Sequence, residues 1–190
     1  MEEKYKIFLF GLDDAGKSTL LRYIKDKTVI NNPEPTREFE IVDIIVEGLN
    51  FLIWDAPGQV DFRNTWDDGI IGTKILLFIV DTANKNRFQE ARKELNNVLN
   101  KDDVKCVPLV VCFNKIDLED SKNNLKQAVD VLKLSQIKNR DKFWLNTSIF
   151  NDESIKDLTF VIYNLLIILD ARMNLKPIQD KYVIKTNEIN

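Results

Sequence analysis

The stretch Ile7-Phe8-Leu9-Phe10-Gly11-Leu12-Asp13-Asp14-Ala15-Gly16-Lys17-Ser18-Thr19 decides how this chain is read. Four apolar residues run into GxxxxGK[ST], the phosphate-binding loop pattern, and Thr19-Leu20-Leu21-Arg22-Tyr23-Ile24 continues as a helix. A strand delivers the chain, Gly11 and Gly16 let the backbone curl, and the N–H groups of Asp13 to Thr19 turn inward to hold α- and β-phosphates. Asp13, Asp14, Ala15, Gly16, Lys17, Ser18 and Thr19 are therefore candidate nucleotide contacts. Lys17 reaches the β/γ-phosphates, the Ser18 hydroxyl is a ligand for Mg²⁺, and the positive end of the helix faces the phosphates. The loop points to a nucleoside triphosphate.

Outward from the loop, apolar and β-branched runs predict strands at 4–10, 38–46, 50–55, 75–81, 107–113 and 142–147. Helical spacing predicts helices at 16–26, 87–100, 121–134 and 154–169, the last capped by Asp152 or Ser154. Glu47-Gly48-Leu49 is a hairpin-length turn, so 38–46 and 50–55 pair antiparallel. The other strands are near-continuously apolar, as in Ile75 to Val80 and Val107 to Phe113. That argues for a mostly parallel six-stranded sheet, one edge strand antiparallel, with helices on both faces. In such α/β folds ligands sit at the carboxyl ends of the strands. The pattern decays after about residue 170. Residues 1–170 therefore read as one domain and 171–190 as a C-terminal tail.

Bulk composition narrows the chemistry. A 190-residue chain, 44% apolar and 30% charged, is an ordinary globular protein, and its net charge of −3 gives no basic face for nucleic acid. There is no histidine. Ser-His and Cys-His nucleophiles and histidine metal sites are excluded, which leaves carboxylates, amides, lysines and oxygen-held metals. Cys106 and Cys112 are too few for a disulfide framework, and a cytoplasmic setting is expected. Met1-Glu2-Glu3-Lys4 begins no signal peptide, and Glu2 does not suit myristoylation. The apolar run Leu158–Leu169 is short of the ~20 residues of a membrane span. No intrinsic membrane anchor is expected, and any membrane recruitment falls to partners.

Four further motifs follow, three of them at strand ends. Asp55 follows Phe51-Leu52-Ile53-Trp54 and is placed to hold Mg²⁺ beside the loop. In the following Ala56-Pro57-Gly58-Gln59, the Gly58 N–H is available to a γ-phosphate and Gln59 to the attacking water; alone, the tetrapeptide also reads as a surface turn. Thr36 lies 19 residues after Lys17 and 19 before Asp55, a spacing that suits a second Mg²⁺ hydroxyl. Asn114-Lys115-Ile116-Asp117 closes an apolar strand: Asp117 accepts from guanine N1–H and N2–H₂, Lys115 lies over the base, and Asn114 ties this loop to the phosphate loop. Ser148 and Ile149, in Thr147-Ser148-Ile149, stand where a backbone N–H reaches guanine O6, although Thr-Ser at a strand end also serves as a simple cap.

Taken together these motifs resemble the small GTPases of the P-loop NTPase fold, over roughly residues 4–170. Gly11-Leu12-Asp13-Asp14-Ala15-Gly16-Lys17-Ser18, Phe39 and Trp54-Asp55…Gly58-Gln59…Arg63…Trp66 are similar to the Arf and Sar branch. Pro57 in Asp55-Ala56-Pro57-Gly58-Gln59-Val60-Asp61-Phe62, and Thr147-Ser148-Ile149-Phe150-Asn151-Asp152-Glu153, are similar to Rag GTPases. The resemblance implies GTP/GDP and Mg²⁺ as cofactors, with Ser18, Thr36 and Asp55 at the metal. It also implies slow GTP hydrolysis with Gln59 as the catalytic residue, and switches at 31–40 and 56–70. An effector, an exchange factor and a GTPase-activating protein follow as partners. Arg37, beside Thr36, is either an arginine acting in cis or a solvated, effector-facing one, so a partner's arginine is expected at the γ-phosphate. Phe51 and Trp54 are expected in the core, Phe39 and Trp66 at partners. Pro57 and the other Rag-like features leave open a nucleotide-loaded scaffold, a GTPase dimer with little hydrolysis. An ATP-using kinase is disfavoured by Asp117.

Overall fold

The computed structural model describes residues 4–29 and 34–181. Its sheet contains β1 (Lys4–Gly11), β2 (Glu40–Val46), β3 (Leu49–Asp55), β4 (Ile75–Asp81), β5 (Leu109–Asn114) and β6 (Lys142–Asn146). The spatial order is β2-β3-β1-β4-β5-β6, and only β2 runs antiparallel. The hairpin is tighter than its sequence suggested. Val46 pairs with Leu49, so Glu47 and Gly48 alone make the turn, both with positive φ (49° and 81°), as a two-residue connection between twisted strands requires.

Alternation along the central strands sends side chains to two cores. Ile7, Leu9, Ile75, Leu77, Ile79, Val110 and Cys112 face α1 (Lys17–Asp26) and α5 (Asp152–Lys181). Phe8, Phe10, Leu76, Phe78, Val111 and Phe113 face α3 (Phe88–Leu99) and α4 (Glu119–Leu132), together with the short α2 (Trp66–Gly69). With both faces covered, the inner strands bury nearly every side chain, which is why their sequences are apolar rather than alternating.

The predicted elements are present with shifted ends. Helix α4 spans Glu119–Leu132 and stops where Lys133 turns left-handed (φ 49°). Helix α5 begins at Asp152, and its N-cap is Asn151 rather than Asp152 or Ser154. The Asn151 Oδ1 accepts from the N–H groups of Glu153 (3.1 Å) and Ser154 (3.3 Å). The Asp152 carboxylate turns aside to the Tyr23 hydroxyl at 2.8 Å. The helix runs on to Lys181, past the expected end at 169. Sequence periodicity had missed the tight turn Val60–Thr65 and α2, which are too short to display a period. Among the described residues no helix is long and apolar enough to cross a membrane.

Candidate functional site

Parallel strands bring their carboxyl ends to one edge, and the candidate motifs lie there. Gly11 ends β1, Asp55 ends β3, Asn114 ends β5, and Thr147-Ser148 follows β6. A cleft of about 390 Å³ opens above the first of these. Asp13, Asp14, Gly16, Lys17, Ser18, Thr19, Thr36, Gly58, Gln59 and Lys115 line it. Ala15, within the loop, is buried. Gly16 has a φ of 89° and leaves no room for a side chain, since a Cβ there would lie 2.5 Å from the Asn114 Nδ2.

Lys17 is only 6% exposed, and its Nζ donates to the Leu12 carbonyl at 2.9 Å. Burial pushes its ammonium down to about 8, against the pull of Asp55 and Asp13. Asp55 is fully buried, and neither carboxylate oxygen has a well-formed hydrogen bond within the protein. Burial pushes its carboxyl up to about 6, opposed by Lys17 and by the nearby Ser18 hydroxyl. The hydroxyls of Ser18 and Thr36 meet at 2.9 Å. Two hydroxyls and an orphaned carboxylate form a hard-oxygen donor set, the kind Mg²⁺ takes alongside phosphate and water. Thr36 lies within the described part of the expected 31–40 switch; residues 31–33 lie outside it.

The base motif joins the loop at its far end. The Asn114 side chain donates to the Ala15 carbonyl at 2.9 Å and accepts from the Thr147 hydroxyl at 3.1 Å. Lys115 has a φ of 63° and pairs through its Nζ with Asp81 at 2.8 Å. The Ser148 hydroxyl donates to the Asp117 carboxylate at 2.5 Å and accepts the Phe150 N–H at 3.1 Å. One hydroxyl thus orders both the carboxylate expected to read guanine and the loop carrying Ile149. Phe150 is 75% exposed beside it.

Of the side chains expected at partners or solvent, the two aromatics stand elsewhere than the sequence implied, and Arg37 and Asp14 do not. Trp66 is not a partner contact. It is 3% exposed, packs edge-on against Phe10 at 5.6 Å, and donates its indole N–H to the Pro57 carbonyl at 2.8 Å. Phe39 is half-buried against Trp54 and Phe8, and a Cβ at Gly69 would lie 2.5 Å from its ring. Arg37 is exposed. The Asp14 side chain is exposed too, on a backbone with a φ of 59°.

The Asp13 carboxylate, at the cleft's edge, is held by two arginines. Arg63 reaches it at 3.2 Å and Arg87 at 2.7 Å, while Arg87 also donates to the Asp13 carbonyl at 3.0 Å. Burial works against the ionised form of Asp13, but the Arg87 bond and charge, with Arg63 behind them, hold its carboxyl below the ordinary value. Arg63 goes on to Glu90 at 2.8 Å and Glu94 at 3.6 Å on α3. Arg87 belonged to no motif in the sequence. Only its packing across 74 residues from Asp13 gives it a place at the loop.

Comparison with known proteins identifies the family and the fold. A model described as the ADP-ribosylation factor family matches residues 1–165. ADP-ribosylation factor K of Dictyostelium discoideum is 35% identical over 135 residues, 71% of each chain. The ADP-ribosylation factor-like protein alp41 of Schizosaccharomyces pombe is 31% identical over 156 residues, 82% of this chain and 83% of its own. In architecture the chain is similar to the Arl6 BBS3 small GTPase of Trypanosoma brucei, solved with the nucleotide analogue GppNp. The TM-score is 0.76 at 18% identity, with 86% of this chain and 98% of that one covered.

Proposed function

This chain belongs to the ADP-ribosylation factor family, and from that premise we propose that it is a GTP-binding switch that hydrolyses GTP slowly until a partner assists. One observation carries the reading. The Ser18 and Thr36 hydroxyls meet at 2.9 Å beside a buried Asp55 whose oxygens lack partners, so a switch segment rests on the phosphate loop at a site that calls for a cation. Ser18, Thr36 and Asp55 would hold Mg²⁺, which when bound neutralises charge on the β- and γ-phosphates.

The chain's own groups supply the rest. Lys17 and the N–H groups from Asp13 to Thr19 bind the phosphates, and burial at Lys17 strengthens its pull on them. The Gly58 N–H senses the γ-phosphate, while Gln59, on the cleft wall, orients water for in-line attack. Asp117, oriented by Ser148, selects guanine; Asn114 and Lys115 frame the base, with the Ile149 N–H turned to O6. With Arg37 exposed, the γ-phosphate needs a partner's arginine, a contribution of roughly 10³–10⁵ in rate. We place the protein in the cytoplasm, with an effector, an exchange factor and a GTPase-activating protein as its partners, and residues 1–170 as its working domain.

Single-turnover hydrolysis of GTP by the intact chain and by Gln59→Leu tests this reading. Slow turnover by the intact chain, lost in the variant while GTP binding persists, is the expected result. An intact chain as inert as the variant would leave a nucleotide-loaded scaffold in its place. ATP bound as tightly as GTP would overturn the assignment of the base.

A further inference from the structure

Three consecutive carbonyls of the Pro57-Gly58-Gln59 segment are each held by a donor from the turn Val60–Thr65 or from α2 just after it. The Trp66 indole N–H donates to the Pro57 carbonyl at 2.8 Å. The Arg63 Nε donates to the Gly58 carbonyl at 2.7 Å, where the Asp13 N–H also donates at 3.1 Å. The Phe62 N–H donates to the Gln59 carbonyl at 3.0 Å. In a trans peptide the carbonyl and the following N–H lie in one plane and point oppositely. Fixing the Pro57 carbonyl therefore fixes the Gly58 N–H, turning it away from the indole. Fixing the Gly58 carbonyl likewise sets the peptide from which Gln59 departs.

Both holding side chains are themselves immobilised. Trp66 is wedged against Phe8 and Phe10. The Arg63 side chain is only 7% exposed, with its other nitrogens on Asp13, Glu90 and Glu94. If the Gly58 peptide turned over, a buried guanidinium N–H would lose its acceptor, a cost borne by whichever state lacks the bond. Gly58 is packed closely against the phosphate loop, since a Cβ there would meet the Asp13 nitrogen at 2.4 Å and the Lys17 Nζ at 2.5 Å.

We propose that Arg63 and Trp66 are positioning residues of the γ-phosphate response, orienting the two peptides that carry the Gly58 N–H and Gln59. They touch no nucleotide. They act by making one orientation of the Pro57-Gly58-Gln59 backbone the satisfied one, so that the γ-phosphate meets a prepared N–H. This rests on the guanine-nucleotide reading above.

The test uses the full chain with Trp66→Phe, which keeps the aromatic packing but removes the donor, and Arg63→Lys, which keeps the charge but removes the fork. Dissociation constants for fluorescent GDP and for a fluorescent non-hydrolysable GTP analogue are measured with Mg²⁺, beside single-turnover GTP hydrolysis and the melting temperature. The expected result is a loss of about tenfold for the GTP analogue and for the hydrolysis rate, with GDP affinity held within about twofold. Equal losses for both nucleotides tracking the melting temperature would make the two residues merely structural and overturn the proposal, as would no loss for either. Should a variant fail to fold, the Trp66 indole N–H resonance of the unmodified protein decides. A protected, GTP-analogue-specific shift supports the proposal, and a resonance indifferent to nucleotide overturns it. Failure of the unmodified chain to bind either nucleotide would overturn the underlying reading, a distinct outcome.

Discussion

Asn114 donates its side-chain amide to the Ala15 carbonyl at 2.9 Å across 99 residues of sequence, while its own amide oxygen accepts the Thr147 hydroxyl. One buried side chain thus clamps the phosphate loop, the base motif and the segment after β6 into a single site. Asn114→Ala strands two buried polar groups at once, at about 1–3 kcal/mol each. We expect a clear drop in melting temperature, and losses of affinity for GDP and GTP that are equal, because the clamp does not distinguish the γ-phosphate. Nucleotide titration and thermal unfolding check both parts.

Ser148→Ala separates orientation from fold. The hydroxyl's bond to Asp117 at 2.5 Å fixes the carboxylate we propose as the reader of guanine. Without it the carboxylate must be ordered by the base itself, and guanine affinity falls about tenfold. ATP binding, to which Asp117 contributes nothing, stays as weak as before. Competition of GTP and ATP against a fluorescent nucleotide measures the ratio, and an unchanged ratio would count against the assigned role of Ser148.

Two glycines give opposite outcomes. At Gly58 a methyl would meet the Asp13 nitrogen at 2.4 Å and the Lys17 Nζ at 2.5 Å, so Gly58→Ala must push the switch off the phosphate loop. Loss of GTP hydrolysis in a folded protein is expected, read by single-turnover assay and circular dichroism. At Gly48 nothing lies within 4 Å, and only the φ of 81° is strained. Gly48→Ala should cost about 1 kcal/mol of stability, seen in denaturant unfolding, and leave nucleotide binding intact.

Acidity bears on the cation site. Burial raises the Asp55 carboxyl from its ordinary 3.8 to about 6, so the folded nucleotide-free protein holds this proton more tightly than the unfolded chain. The stabilisation is full below pH 3.8 and is lost as pH rises through about 6. Asp55→Asn should flatten stability across that window in pH-dependent denaturation of the nucleotide-free protein. Mg²⁺ competes with the same proton, so Mg²⁺-dependent retention of nucleotide should weaken below about pH 6 in the unmodified chain.

By itself, the sequence determined those parts of the molecule that are local in physics. A phosphate loop is a run of backbone N–H groups shaped by two glycines, and the hairpin needs only a short glycine-containing turn, whose two-residue length the structure sets. The base motif needs only an apolar strand ending in Asn114. Each is readable because neighbouring residues along the chain set the geometry, and the two-residue and helical periods of burial then dictate a covered parallel sheet. What only the tertiary structure decided is which side chains meet. Trp66 reads as a partner-facing aromatic until β1 and the following turn enclose it. Arg63 stands in a family-like pattern without a partner, and Arg87 in no motif, until packing brings Glu90 of α3 and Asp13 of the phosphate loop against both. Their partners lie on other elements, up to 74 residues away, and no local pattern encodes a pairing that depends on how helix and sheet pack.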